Sequence, residues 1–195
     1  MPELPLFPLN TVLFPGGLLP LRIFEPRYLD MVGRCMRAGA DFGVVLITSG
    51  EEVGQVTKMA AVGTGARVVD FSQLPDGLLG VMCRGSRRFR LLEYRVQADG
   101  LRVGEVEWLA EPGPDAIAEE HRPLALVLRR VLKELGATAR HLDADFDDAD
   151  WVSNRLAEFL PLERTDQQAL LELIDPQERM RRLAPLIQVG PDDAN

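Results

Sequence analysis

LPLFPLNTVLFPGGLLPLRIFEPRY, Leu4 to Tyr28, carries no charge before Arg22, yet four prolines and a glycine pair interrupt that uncharged run. A membrane-spanning helix needs about 20 mostly apolar residues whose amides all bond internally. Pro5, Pro8, Pro15 and Pro20 each remove a donor, and a proline inside a helix costs roughly 3 kcal/mol. Gly16-Gly17 breaks the run again. A secretory signal carries basic residues ahead of its apolar core; here Glu3 stands ahead and Arg22 behind. The stretch therefore reads as neither anchor nor signal. It reads as extended pieces with prolines at their ends, where no ladder bond is lost. Leu4–Leu6, Thr11–Phe14 and Leu18–Ile23 are the predicted strands.

With 195 residues, 46% hydrophobic and 27% charged, the chain is an ordinary globular one of one domain or two small ones. It is long enough to bury a core without staples. A net charge of −8 argues against binding nucleic acid by neutralising phosphates, and against docking on anionic lipid. Cys35 and Cys83 give no disulfide framework, so the expected location is the cytoplasm, with both thiols reduced.

FEPRYLDMVGRCMRAG reads as a first helix. Pro26 suits its first position and Gly39 its end, with Tyr28, Met31, Val32, Cys35 and Met36 as an apolar stripe. FGVVLITSG is a continuous apolar run of strand length. MAAVGTGARVVDFSQ and LLGVMCRGSRRFRLLEYRVQ flank the turn Pro75-Asp76-Gly77, and Asp99-Gly100 repeats the device. Residues 1–110 thus hold about six strands and one helix, in meander order tending toward closure. The texture changes at the connector EPGPDAIAEE, residues 111–120. Residues 121–190 carry four helical patterns, and residues 191–195 form a tail. In the first pattern Leu124, Val127, Leu128, Val131, Leu132 and Leu135 share a face. Asp150 is the expected cap of the second, Thr165 with Gln168 a capping box for the third, and Asp175-Pro176 the start of the last, which Pro185 should bend.

No pattern supplies chemistry. Gly63-Thr64-Gly65 lacks the third glycine and the helix of a dinucleotide fingerprint, and there is no P-loop. HLDADFDDAD places His141 among aspartates, but an EF-hand loop started at Asp143 would need glycine where Asp148 stands and glutamate where Asn154 stands. His121 and His141 have no partner at metal-ligand spacing. Cys35 and Cys83 sit on core-facing positions, and Lys58 and Lys133 have no serine to form a dyad. No cofactor, metal site or catalytic residue is expected. CRGSRRFRLLEYR gathers Arg84, Arg87, Arg88, Arg90 and Arg95 between aromatics. That is one way to build a nucleic-acid surface, and also the alternation of a half-buried strand, which is the preferred reading.

The opening LPLFPLNTVLFPGGLLPLRIFEPRYLDMV resembles the start of the LON substrate-binding domain, the N-terminal domain of ATP-dependent Lon protease. Val62-Gly63-Thr64, the Asp76-Gly77 hairpin, and Gly85 with Arg88 and Arg90 resemble its second signature, and WVSNRLAEFLPL with RMRRLAPLI is similar to its helical part. The resemblance implies an α+β fold: an N-terminal PUA-like β pseudo-barrel with one helix, then a C-terminal helical bundle. It implies a non-catalytic protein- or peptide-binding module without the ATPase and Ser-Lys peptidase modules of Lon. Partners would be unfolded or client polypeptides and a separate ATPase or protease, with a homodimer as the oligomeric expectation. The expected binding surface is an apolar groove on the β half, where an extended peptide adds to an unpaired edge. Its residues are Phe7, Phe14, Arg22, Phe24 and Tyr28. The alternative is a PUA-like nucleic-acid binder contacting its ligand through Arg84, Arg87, Arg88 and Arg90.

Overall fold

The computed structural model of the protein describes residues 2–50, 52, 56–136, 142 and 144–187. The chain forms two compact units, Met1–Ala110 and Glu111–Asn195. In the first unit, β1 (Glu3–Leu9), β2 (Leu18–Ile23), α1 (Pro26–Ala38), β3 (Phe42–Gly50), β4 (Val56–Met59), β5 (Val62–Gln73), β6 (Leu79–Val96) and β7 (Arg102–Trp108) follow in order.

These strands make a seven-stranded sheet in the order β1-β7-β6-β5-β3-β4, and β1 also pairs with β3. Five strands, β1-β7-β6-β5-β3, therefore close on themselves, while β4 lies outside on β3 and β2 on β6. The expected meander is not the order found. β1 runs antiparallel to β7 but parallel to β3. A parallel pair needs a long crossover, and β2 with α1 supplies it.

β1 is longer than its prolines suggest, and both lie inside it rather than at its ends. It pairs with β7 over Glu3–Leu6 and with β3 over Leu6–Leu9. The Pro2 carbonyl accepts from Val106 N–H, so even-numbered residues direct their backbone groups toward β7. Pro5 thus turns its missing donor toward β3, where pairing has not begun. Pro8 turns its own toward β7, where pairing has ended. Pro20 sits in β2, which pairs on one side only, where a proline is tolerated.

Thr11–Phe14 is not a strand. Pinning from the side replaces a ladder there. The buried Thr64 Oγ1 donates to Leu13 O at 2.6 Å, and Gly17 N–H donates to Phe14 O across a turn with Gly16 at φ 72°. Proline then glycine at the centre of a turn suits that geometry.

The two Asp-Gly hairpins share one hydrogen-bond pattern. Leu74 N–H donates to Leu78 O and Gly77 N–H to Leu74 O; Gln97 N–H donates to Leu101 O and Gly100 N–H to Gln97 O. Asp76 and Asp99 each accept from the amide two residues on. Gly77 and Gly100 hold φ 84° and 83°, where an L side chain is strained.

Alternation along β1 divides the core. Phe7 and Leu9 join the cluster holding Tyr28, Met31, Val32 and Cys35 of α1. Leu4 and Leu6 join Phe89 and Val106. A side chain at Gly43 would strike Leu4, Leu6 and Phe89, and one at Gly63 would strike Val44 O and Phe89. All five ring strands thus meet around this second cluster, which fills the ring. Met36, expected on the buried stripe of α1, is exposed. The helix ends one turn later on Gly39 at φ 59°, and its last residues turn outward.

The second unit holds α2 (Arg122–Leu135), α3 (Ala149–Phe159), α4 (Arg164–Glu172) and α5 (Pro176–Leu183), the last running into a 3-10 turn at Ala184–Leu186 where Pro185 falls. With α1 these make five α-helices among the described residues. Leu124, Leu128, Val152, Leu156, Leu170, Leu171, Met180 and Leu183 are among its buried apolar residues, while Leu135 is exposed. Asp148, not Asp150, caps α3: its extended backbone lets the carboxylate accept from Asp150 N–H and Trp151 N–H. Asp150 instead holds Arg179. Glu163 precedes α4 without a side-chain cap, and Gln168 reaches forward to Glu172 rather than back to Thr165. Asp175 caps α5 through Gln177 N–H as expected. The 111–120 segment is tied down, since Ala116 bridges Asp148 and Gln177 donates to Asp115 and Ala116 O.

No helix among the described residues is long and apolar enough to cross a membrane. His141 and Asp143 lie outside the described residues; among these, no group of three potential metal ligands occurs.

Candidate functional site

Of the five residues expected to form a binding surface, four gather at one place. Phe7, Arg22, Phe24 and Tyr28 line a cavity of about 250 Å³ with Leu21, Ile23 and Glu52. Phe7 comes from β1, Arg22 from β2, and Phe24 and Tyr28 from the entry and first turn of α1. Phe7 and Tyr28 stack with ring centroids 4.0 Å apart and form the floor. The guanidinium of Arg27 covers the Tyr28 ring at 4.7 Å. Phe24 stands 53% exposed at the rim. Phe14 is elsewhere. It is fully buried, because the turn at Pro15-Gly16 folds its ring inward, so it belongs to the interior and presents no surface.

A neighbouring cavity of about 330 Å³ shares Pro20, Leu21 and Arg22 with the first and adds Phe71, Leu74 and Met82. Phe71 is 60% exposed. The two cavities adjoin along β2, with Phe24 in the lining of the first and Phe71 in that of the second. Arg22 lines both and pairs with Asp76 of the β5–β6 turn. Sequence reasoning missed Phe71. VVDFSQ alternates like a half-buried strand, and nothing local reveals that β5 and β6 run on past the closed ring, where β2 joins them on β6. The length of the paired register, Val62–Gln73 against Leu79–Arg90, is the signal.

The arginine strand does not act as one surface. Arg88 is buried and Arg84 half-buried, whereas Arg87 and Arg90 are exposed. Arg90 pairs with Glu107, Arg95 with Glu3, and Arg87 lies over the Trp108 ring at 4.9 Å. The side-chain bond from Arg95 holds the Glu3 carboxyl below its ordinary range.

Burial pushes the Cys83 thiol up to about 12 and raises Cys35 and Tyr28. Both thiols are therefore protonated at neutral pH. Ellman's reagent at pH 8 should label neither in the folded protein and both in denaturant; labelling of the native protein would contradict this. The sign with pH follows. Below about pH 8 folded and unfolded thiols carry the same proton. Between there and about 12 the Cys83 thiol loses its proton only in the unfolded chain, so stability should decline as alkali rises through that window.

The signature residues have structural work. Gly63 lets β5 approach Val44 O and Phe89, Thr64 anchors Leu13, and Gly85 exchanges backbone bonds with Gly16 and Gly17. Together they hold the Thr11–Gly17 segment against β5 and β6.

Comparison with known proteins agrees with this architecture. A family model described as the ATP-dependent protease La (LON) substrate-binding domain matches residues 3–189. Lon protease of Cytophaga hutchinsonii is 28% identical over 193 residues, covering 94% of this chain and 24% of that protein. Lon protease 2 of Herpetosiphon aurantiacus is 29% identical over 195 residues, covering 95% and 23%. The chain thus spans about a quarter of the length of the curated relatives it matches. The crystal structure of a Lon N-terminal domain protein from Xanthomonas campestris superposes with a TM-score of 0.81 at 42% identity, covering 96% of this chain and 100% of that one. The N-terminal domain of the Mycobacterium avium complex Lon protease shares the fold, with a TM-score of 0.65 at 16% identity, covering 94% and 97%. With the family model spanning nearly its whole length, the chain belongs to the LON substrate-binding domain family.

Proposed function

We propose that this protein is a non-catalytic module that grips exposed apolar segments of client polypeptides in the cavities along β2. In this reading residues 1–110 are a PUA-like β pseudo-barrel and residues 121–190 a helical bundle behind the 111–120 connector. A separate ATPase or protease would act on the clients it holds. The observation that carries the reading is the exposure of Phe24 and Phe71, 53% and 60%, in two adjoining apolar cavities along β2 of a member of a substrate-binding family. Burying both rings against a client removes apolar surface from water at about 25 cal/mol per Å², and large exposed apolar surface is characteristic of interaction sites. Pro20 deletes a donor in the middle of β2, so side-chain burial, rather than an unbroken added strand, carries the contact.

Fluorescence anisotropy with labelled, unfolded casein tests the reading. Phe24→Ser and Phe71→Ser should each weaken binding about tenfold while leaving the fold intact, since both rings are exposed. Unchanged affinity in the folded double variant would dismiss the cavities along β2 as the site. The arginine-strand alternative gains no support from the geometry, because its four residues are divided between interior and surface.

A further inference from the structure

A cavity of about 400 Å³ sits apart from the client cavities and shares no residue with them. Its lining includes Arg34 from α1, Arg67 from β5, Arg87 from β6 and Trp108 from β7, with Asp41 and Glu3. Neither carboxylate is available to a ligand. Asp41 Oδ1 accepts from Arg67 Nε at 2.7 Å, and its Oδ2 accepts from Ser86 Oγ at 2.6 Å. Glu3 is engaged by Arg95 through both oxygens. Three lining arginines and Arg95 against these two acids leave a local excess of two positive charges. Arg34 and Arg87 have no acidic partner among the described residues.

Two of the guanidinium groups are held in place without being used up. Asp41 grips Arg67 through Nε alone, so its terminal nitrogens stay on a side chain that is 58% exposed. Arg87 is fixed by its face on Trp108, 4.9 Å from the ring centroid. Stacking occupies the plane of a guanidinium and leaves its edge N–H groups for an acceptor. The end of α1 beside the cavity is its carboxyl end, but the carbonyls of Cys35 and Met36 already accept from Ala40 and Gly39. Pre-positioned arginine forks with two uncompensated charges match a tetrahedral dianion, which accepts bidentate bonds from such forks.

We infer that the cavity bounded by Arg34, Arg67, Arg87 and Trp108 binds a phosphoryl group, either free phosphate or a phosphorylated side chain of a polypeptide. The overall charge of −8 makes such a local positive site selective, since anions are repelled elsewhere on the surface.

Titration of the full chain followed by the NMR signals of the Trp108 indole and the Ser86 amide tests this. The probes are inorganic phosphate, a phosphoserine peptide and the same peptide with serine, each at matched ionic strength in chloride. A saturable shift with phosphate is expected. If the phosphoserine peptide binds at least tenfold tighter and the serine peptide does not bind, the source is a polypeptide. If the phosphopeptide binds no tighter than phosphate, the source is the free ion. Arg34→Gln and Arg87→Gln should each weaken binding roughly tenfold, the usual effect of losing a charge-assisted bond. Arg90→Gln, which removes a charge already paired to Glu107 outside the cavity, should change it less than twofold. No saturable shift with either phosphorylated probe, or equal losses in Arg87→Gln and Arg90→Gln, overturns the assignment.

Discussion

Gly85→Ala should unfold the sheet unit or leave it barely stable, with a loss of about 3 kcal/mol or more. Gly85 N–H donates to Gly17 O and Gly85 O accepts from Gly16 N–H, so the two backbones lie against each other. A Cβ at Gly85 would sit inside the contact radius of the Phe14 carbonyl. Backbone meets backbone there, so no side-chain rotation relieves the overlap. Phe14 cannot retreat either, because its ring is fully buried. Gly63→Ala should be similarly costly, as its Cβ would lie 2.5 Å from Val44 O and 2.6 Å from Phe89 Cζ. Gly113→Ala is the control: nothing lies within 4 Å of its Cβ, and exposed sites of this kind change stability by about 0.5 kcal/mol or less. Urea denaturation read through Trp108, with Trp151→Phe in the background, measures the first two, and Trp151 fluorescence with Trp108→Phe measures Gly113→Ala in its own unit. A midpoint for Gly85→Ala equal to that of the parent would refute the account of how the opening segment is held.

Arg179→Met should destabilise the helical unit by about 3 kcal/mol, a buried charged donor being lost from several acceptors at once. Arg179 is 1% exposed. Its Nε donates to Leu170 O, one terminal nitrogen to Asp150 and Ser153 Oγ, and the other to Leu173 O at 2.6 Å. Leu170 O also takes the closing bond of α4 from Leu173 N–H, and Leu173 is the residue that ends the helix. One side chain of α5 thus closes the end of α4 and ties both helices to α3. Methionine keeps the volume and removes every donor. Lysine should recover little, because a single ammonium cannot reproduce the planar fork. Asp150→Asn should cost about 1 kcal/mol, since that carboxylate is partly exposed and keeps an acceptor oxygen. The readout is Trp151 fluorescence in urea with Trp108→Phe. Equal midpoints for Arg179→Met and the parent would mean that the buried arginine contributes nothing net.

Several features were legible from residue types alone, and for a local reason. Asp76-Gly77 and Asp99-Gly100 announce hairpins because their hydrogen bonds close within five residues. Pro26 and Gly39 bracket α1 because a fixed φ starts a helix and a left-handed glycine ends one. The helix caps were less legible. Asp148 and Asp150 are both plausible caps by type, and the choice fell to Asp148 because Asp150 is drawn to Arg179, 29 positions away. Thr11–Phe14 reads as a strand but has no ladder, because the neighbours it needs are occupied by Thr64 and Gly85.

By itself, then, the chain's order of residues settled most of the elements, the two Asp-Gly turns and the family to which the protein belongs. Tertiary structure alone decided that Phe14 lies inside while Phe24 and Phe71 face solvent, that Arg88 is buried while Arg87 stacks on Trp108, and that β1 closes the ring between β7 and β3. Turn and helix signals act over a few residues. The side of a strand that meets water depends on which distant strand lies beside it, and that is set only when the ring closes.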